Sequence, residues 1–248
     1  MIITRFLIEF YSGKYFVGKL YKKDYIINGI KLMKKYLIPS LENQSCRDFI
    51  WIMMLGDKAN KTFIKSLIDI NTSFKWDIVY LNSINNYIKN ITKDYDILIT
   101  TRYDNDDIIY YDAVNDARKV ININKPMLLH GYNKGFYYYE SSNKYYNFEH
   151  NFKNEGAMSI FLSLIIVLNK VNETINVYKL GDHRFIRKNF FKIYRRYGIK
   201  EINYEPAVFD DGGPKFIYVR QNYSRCHYFN VKNNQKEIKF NKYKFYGR

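Results

Sequence analysis

Asp104-Asn105-Asp106-Asp107 crowds three carboxylates into four residues at the end of an apolar, strand-like run, Tyr95-Asp96-Ile97-Leu98-Ile99-Thr100-Thr101. Charges this close repel one another, and a divalent cation or a nearby Arg relieves the repulsion. Oxygen-only ligands suit Mg²⁺ or Mn²⁺, and a cation held by one or two carboxylates completes its shell with water and phosphate oxygens. The D-x-D spacing therefore predicts a metal–diphosphate site. The same spacing recurs in Asp94-Tyr95-Asp96, so a local role stays open: Asp residues ahead of a helix over 108–120 would cap it and favour its dipole. An EF-hand is disfavoured, because Gly is absent where that loop needs its sharp turn.

Arg5 and Arg102 occupy strand positions facing the same expected crevice. A guanidinium fork there is shaped for a diphosphate, and either residue could instead neutralise the aspartates. Glu155, in Asn154-Glu155-Gly156-Ala157, is a candidate base for an acceptor hydroxyl in an inverting transfer, or else a residue satisfying a helix N-terminus. Tyr137, Tyr138, Tyr139, Tyr145 and Tyr146 offer a stacking platform for an acceptor or, more simply, strand packing. Walker A, G-x-G-x-x-G and H-E-x-x-H patterns do not occur in the sequence, which argues against an ATPase, a dehydrogenase and a zincin.

The elements that must position these groups read as an α/β sheet with crossover helices in the first half. Strands are expected over 2–10, 49–55, 76–81 and 95–101, and helices over 25–41, 61–70, 84–91 and 108–120. Open sheets of this kind bind ligands where strands end. Residues 125–148 alternate aromatic and polar types, as antiparallel strands would. The apolar run 157–168 reads as a core helix, since a membrane span needs about twenty residues. A short strand over 176–180 leads to Gly181-Asp182-His183, and beyond Arg184 the chain turns basic and aromatic, with a helix over 185–197 and a poorly patterned tail.

Composition narrows the class. The 248 residues carry 40 Lys+Arg against 24 Asp+Glu, a formal charge of +16, and are 47% hydrophobic. That is too apolar for a disordered basic tail. The two cysteines, Cys46 and Cys226, have no ligand spacing around them, against a disulfide scaffold or a zinc finger. The first residues lack the pattern of a signal peptide, so the cytoplasm is the expected location. The excess charge suits a nucleic acid, an anionic membrane surface or a phosphate-bearing substrate, or it is simply a solvated surface.

Thr4-Arg5-Phe6, then Tyr36-Leu37-Ile38-Pro39-Ser40-Leu41-Glu42-Asn43-Gln44 with Asp48-Phe49-Ile50-Trp51, then Thr101-Arg102-Tyr103-Asp104-Asn105-Asp106-Asp107 stand in the order found in the putative rhamnosyltransferase family of bacteria and large DNA viruses. The chain resembles that family over roughly residues 1–120, with a looser echo at His183. The resemblance implies an α/β, GT-A-like mixed sheet flanked by helices, with a short antiparallel acceptor-side region and a basic C-terminal extension. On that reading residues 1–183 form the catalytic domain, with a nucleotide-sugar half over about 1–120 and an acceptor half over about 121–183, and residues 184–248 pack on it.

The resemblance further implies a glycosyltransferase that uses Mn²⁺ or Mg²⁺ and moves a sugar, with rhamnose as the candidate, from a nucleoside-diphosphate sugar to a glycan or glycoconjugate hydroxyl. Asp106 becomes the direct metal ligand, and Asp104 binds through water or meets the donor ribose or sugar. Asp107 orients the donor sugar, caps the following helix, or does both. His183 joins the metal or diphosphate, and Asp57 meets the nucleobase or ribose. A fixed cation suits this chemistry because the leaving nucleoside diphosphate gains negative charge as the glycosidic bond breaks. The expected location is the cytoplasm, a host's if the chain is viral, with no nucleic-acid partner and with peripheral membrane contact left open. The rival reading, a non-enzymatic basic, Tyr-rich protein binding nucleic acid or another anionic polymer, needs cations and aromatics along one groove.

Overall fold

The first four apolar runs become parallel strands. In the computed structural model, which describes residues 1–8, 21–149, 161–171, 173–181, 186–197, 207–210, 213–220 and 237–238, these are β1 (Ile2–Phe6), β2 (Ile50–Leu55), β3 (Lys75–Tyr80) and β4 (Ile97–Tyr103). They lie side by side as β3-β2-β1-β4. Parallel neighbours require crossovers. These include α1 (Lys23–Leu32), which passes through a π-helical turn at Met33–Leu37 into α2 (Ile38–Glu42), then α3 (Lys61–Ile68) and α4 (Ile84–Ile91). The wide turn sits just ahead of Pro39, whose ring would press on the carbonyl of Lys35 in a regular α-helix.

After β4 the chain forms a two-residue strand β5 (Ile108–Ile109), helix α5 (Ala113–Lys119), then β6 (Met127–Tyr132), β7 (Lys134–Tyr139) and β8 (Lys144–Glu149). β9 (Leu162–Val167), α6 (Ile186–Arg196), β10 (Ala207–Asp210), β11 (Phe216–Arg220) and β12 (Glu237–Ile238) follow. Among the described residues the main sheet has seven strands in the order β10-β6-β9-β4-β1-β2-β3, with β9 antiparallel to both neighbours. A second sheet of five runs β12-β8-β7-β11-β5. β10 and β11, from the stretch past residue 184, are thus woven into both sheets.

Both faces of the main sheet are covered, which is why β2 reads as the unbroken apolar run Ile50-Trp51-Ile52-Met53-Met54-Leu55. Ile2, Trp51, Met53 and Ile78 pack with Ile30, Met33, Leu37 and Ile64 on one face. Ile3, Ile52, Leu98 and Leu164 pack with Ile84, Ile88, Val177, Phe190 and Tyr194 on the other. Each such side chain is worth about 1.5–3 kcal/mol when fully buried. The result is a mixed α/β sheet flanked by helices, the fold class the resemblance implied.

Three expected elements take another form. The run over 157–168, expected as a core helix, contributes the strand β9, every residue of which is buried between β4 and β6. Residues 176–180, expected as a strand, contain the 3₁₀ turn Val177–Leu180, started by Asn176 accepting from the Tyr178 amide at 2.9 Å. The helix expected over 108–120 begins only at Ala113, because Ile108 and Ile109 pair with Ile217 and Phe216 of β11.

Candidate active site

Parallel register places the candidate residues along one sheet edge. Ile2 lies opposite Thr101 and Thr4 opposite Tyr103, so Arg5 and Asp104 continue the ladder as neighbours at the C-terminal ends of β1 and β4. Arg5 Nε donates to Asp104 Oδ1 at 3.3 Å, with each side chain a little over a fifth exposed. Asp57 lies at the same edge, two residues beyond β2, and accepts from the Asn82 amide at 3.2 Å. It is exposed.

Arg102 is the anomaly. Its side chain is fully buried, Nη1 donates to the Gly181 carbonyl at 3.1 Å, and the guanidinium stands 5.0 Å from the centre of the Tyr178 ring. Nε and Nη2 are buried without a hydrogen-bond partner among the described residues. A sealed cation normally has every donor matched, because an unmade bond costs its full desolvation. Tyr178 closes the same corner: its hydroxyl donates to the carbonyls of Ile3 at 3.1 Å and Tyr103 at 3.4 Å, clamping β1 to β4. Burial pushes that phenol up, with Arg102 opposing.

The acidic cluster divides. Asp104 and Asp106 are partly exposed, whereas Asp107 is buried and accepts from the Val219 amide at 3.1 Å, fixing the turn after β4 to β11. The capping role expected of Asp107 is not what the structure has, since α5 starts six residues later with Asp112 at its N-cap. Among the described residues, no group of three or more His, Cys, Asp or Glu side chains converges to hold a metal. Two partly exposed carboxylates do fit a hard cation that keeps water and takes further oxygens from a phosphate, as Mg²⁺ does. His183 and Glu155 lie outside the described residues.

Several of the other residues that carry the family resemblance brace this edge. Trp51 Nε1 donates to Thr4 Oγ1 at 3.1 Å within the sheet. Buried Gln44 donates to the carbonyls of Ser40 at 3.2 Å and Tyr110 at 2.8 Å and accepts from the Val114 amide at 3.2 Å, tying α2 to the start of α5. The aromatic strands are largely packing. Tyr137 stacks on Tyr218 and meets Phe148 edge-on, and Tyr138 stacks on Tyr145. Glu140 Oε1 accepts from the Tyr36 hydroxyl at 2.7 Å and from Lys35 Nζ at 2.5 Å, joining the π-helical turn to the tip of the β7–β8 hairpin. Burial raises the Glu140 carboxyl but these two donors outweigh it, leaving it below its ordinary 4.5. Neither Tyr178 nor Glu140 was distinguishable in sequence, because their partners lie some 75 to 175 positions away.

The family described as putative rhamnosyl transferase matches residues 16–179. No curated protein matches the chain. Among solved structures it is similar to HddC from Yersinia pseudotuberculosis, at 14% identity over 79% of this chain and 98% of that one, with a TM-score of 0.35. It is also similar to the inositol-1-phosphate CTP transferase from T. maritima, at 10% identity over 89% and 84% of the two chains, with a TM-score of 0.32.

Proposed function

Since the chain belongs to the putative rhamnosyl transferase family, we propose that the edge formed by β1 and β4 binds the diphosphate of a nucleotide sugar and passes the sugar to a glycan or glycoconjugate hydroxyl, with rhamnose the candidate sugar. The observation that carries this reading is Arg102: a buried guanidinium with two N–H edges unmatched among the described residues, one strand position from Tyr103 and two from Asp104. Both edges are shut off from solvent in this conformation, so an anionic group with two oxygens completes the fork once the corner closed by Tyr178 opens.

Asp104 and Asp106 would hold Mn²⁺ or Mg²⁺, which when bound supplies charge neutralisation to the departing diphosphate. Arg5 restrains the Asp104 carboxylate through its Nε bond. Arg102 contributes a fixed positive charge that needs no reorganisation as the leaving group gains charge, the condition under which such charges act most strongly. Asp107 positions the turn rather than touching substrate. Asp57 remains the candidate for the donor ribose or base, His183 for the metal or diphosphate, and Glu155 for the acceptor base.

Thermal shift with UDP, GDP and dTDP sugars tests this, each with and without Mn²⁺, since a ligand bound only by the folded state raises the apparent melting point. Wild type should respond to at least one sugar nucleotide in a metal-dependent way and hydrolyse it slowly, and Asp106→Ala should lose both effects. Indifference to every sugar nucleotide, together with tight, steeply salt-dependent binding of single strands, would instead favour a polyanion-binding module.

A further inference from the structure

We propose that the cleft between residues 173–179 and the outer face of α6 is a second anion site, one that takes a phosphate group and is independent of the donor reading above. The cleft holds about 330 Å³ and is lined by Lys179, Lys192, Arg196, Asn189 and Glu173 among others. Its carboxylate is already committed: Glu173 accepts from Lys179 Nζ at 2.5 Å and from the Tyr197 hydroxyl at 3.3 Å. The hydrogen bond from Lys179 is the main cause holding that carboxyl below its ordinary range.

Lys192 and Arg196 therefore face the cleft without a hydrogen bond or salt bridge among the described residues. The whole helix, Ile186-Arg187-Lys188-Asn189-Phe190-Phe191-Lys192-Ile193-Tyr194-Arg195-Arg196, contains no acidic residue. Lys188 with Lys192, and Lys192 with Arg196, are like charges at i,i+4, a spacing that opposes helix formation. A favourable interaction with the C-terminal dipole accounts for Arg195 and Arg196 but not for Lys188 and Lys192. An anion in the cleft relieves the repulsion between Lys192 and Arg196 and gives those two cations charge-assisted bonds.

The ligand is held by charge and not by apolar insertion. Ile186, Phe190 and Tyr194 are fully buried against the main sheet, and Phe191 and Ile193 pack partly against the same cluster. Little apolar surface is left on the outer face of α6 to enter a bilayer, and an interfacial helix needs such a face. A free phosphate and a lipid phosphate share the chemistry the cleft selects. The cleft also adjoins Arg102 through two successive carbonyls: Asn189 Nδ2 donates to Leu180 O at 2.8 Å, and Arg102 Nη1 donates to the next carbonyl, Gly181 O.

Calorimetric titration of the full chain with inorganic pyrophosphate, without divalent metal and at low and raised salt, tests the site, and any binding at the β1–β4 edge, unaltered in every variant, is a background common to all of them. The double variant Lys192→Glu with Arg196→Glu should bind at least about tenfold more weakly, since each charge-assisted bond is worth roughly a factor of ten or more. Lys188→Glu reverses a charge on the same helix outside the cleft lining and should change affinity by less than about threefold, because its effect is through-solvent and screened. All three changed residues are exposed, and far-UV circular dichroism checks that each variant is folded. Vesicles of phosphatidylcholine with and without phosphatidylglycerol identify the source: sedimentation of the wild type with the anionic vesicles, lost in the double variant, assigns a lipid phosphate. Pyrophosphate binding without sedimentation assigns a free phosphate. Equal behaviour of wild type and double variant towards both probes, or an equal loss in Lys188→Glu, overturns the site.

Discussion

Replacing Arg102 with Met separates what the fold needs from what a ligand needs. In wild type two buried donors, Nε and Nη2, go unmatched among the described residues, and each unmade bond costs about 1–3 kcal/mol, or about 2–6 kcal/mol together. Against this the substitution loses the charged bond to Gly181 O, worth about 1.5–3 kcal/mol, and the contact with the Tyr178 ring, worth about 0.5–2 kcal/mol. The two sides nearly cancel, as buried charges exchanged for apolar residues of similar volume often do. A chain of this size moves about 2–4 °C per kcal/mol, so the Tm of Arg102→Met should stay within roughly 5 °C of wild type. Nucleoside-diphosphate affinity, measured by calorimetry in Mn²⁺, should fall at least about a hundredfold, since two charge-assisted bonds disappear. A Tm lowered by more than about 10 °C, with affinity unchanged, would refute the reasoning and make Arg102 a purely structural cation.

Three further outcomes follow from particular contacts. Asp107→Ala strands the buried Val219 amide and should cost about 1–3 kcal/mol; Asp107→Asn keeps an acceptor and should recover most of it in a thermal melt, whereas full stability with lost transfer in both would mean that Asp107 acts on substrate. Gly56→Ala places a Cβ against the Leu7 carbonyl oxygen and the Tyr21 hydroxyl, so a loss of about 1–3 kcal/mol is expected from overpacking at the β1–β2 edge. Glu140 is held below its ordinary 4.5 by Lys35 and Tyr36 against the pull of burial, so its contribution is present above that value and fades as pH falls through the lower folded one. Glu140→Gln should therefore flatten the loss of Tm below about pH 4.5, by no more than about 1 kcal/mol for so exposed a pair.

The parallel half of the sheet was legible because its signals are local: apolar runs ending at Gly56-Asp57 or Asp104, with amphipathic helices between them. What failed did so where a distant partner decides. Leu162-Ser163-Leu164-Ile165-Ile166-Val167 is apolar on every side, and periodicity cannot tell such a run from a buried helix; only β4 and β6, on its two sides, make it a strand. Ile108-Ile109 likewise pairs with residues more than a hundred positions away. At the candidate site, the sequence marked Arg5, Asp104 and Asp57, which stand where β1, β4 and β2 end, and Arg102, whose side chain is sealed within the sheet instead of facing the same crevice as Arg5. It left Asp107 open between substrate and support, because its choice of support depends on a backbone amide at Val219 that no side-chain pattern announces.

That amide belongs to β11, the strand seated between β5 and β7. A ribosome delivers the four parallel strands long before it delivers this strand, so the acidic turn emerges without its anchor and with Ile108 and Ile109 still unpaired. Until Val219 is in place the turn that carries Asp104 and Asp106 lacks its tie to the second sheet, so its anchoring waits on a strand synthesised more than a hundred residues after it.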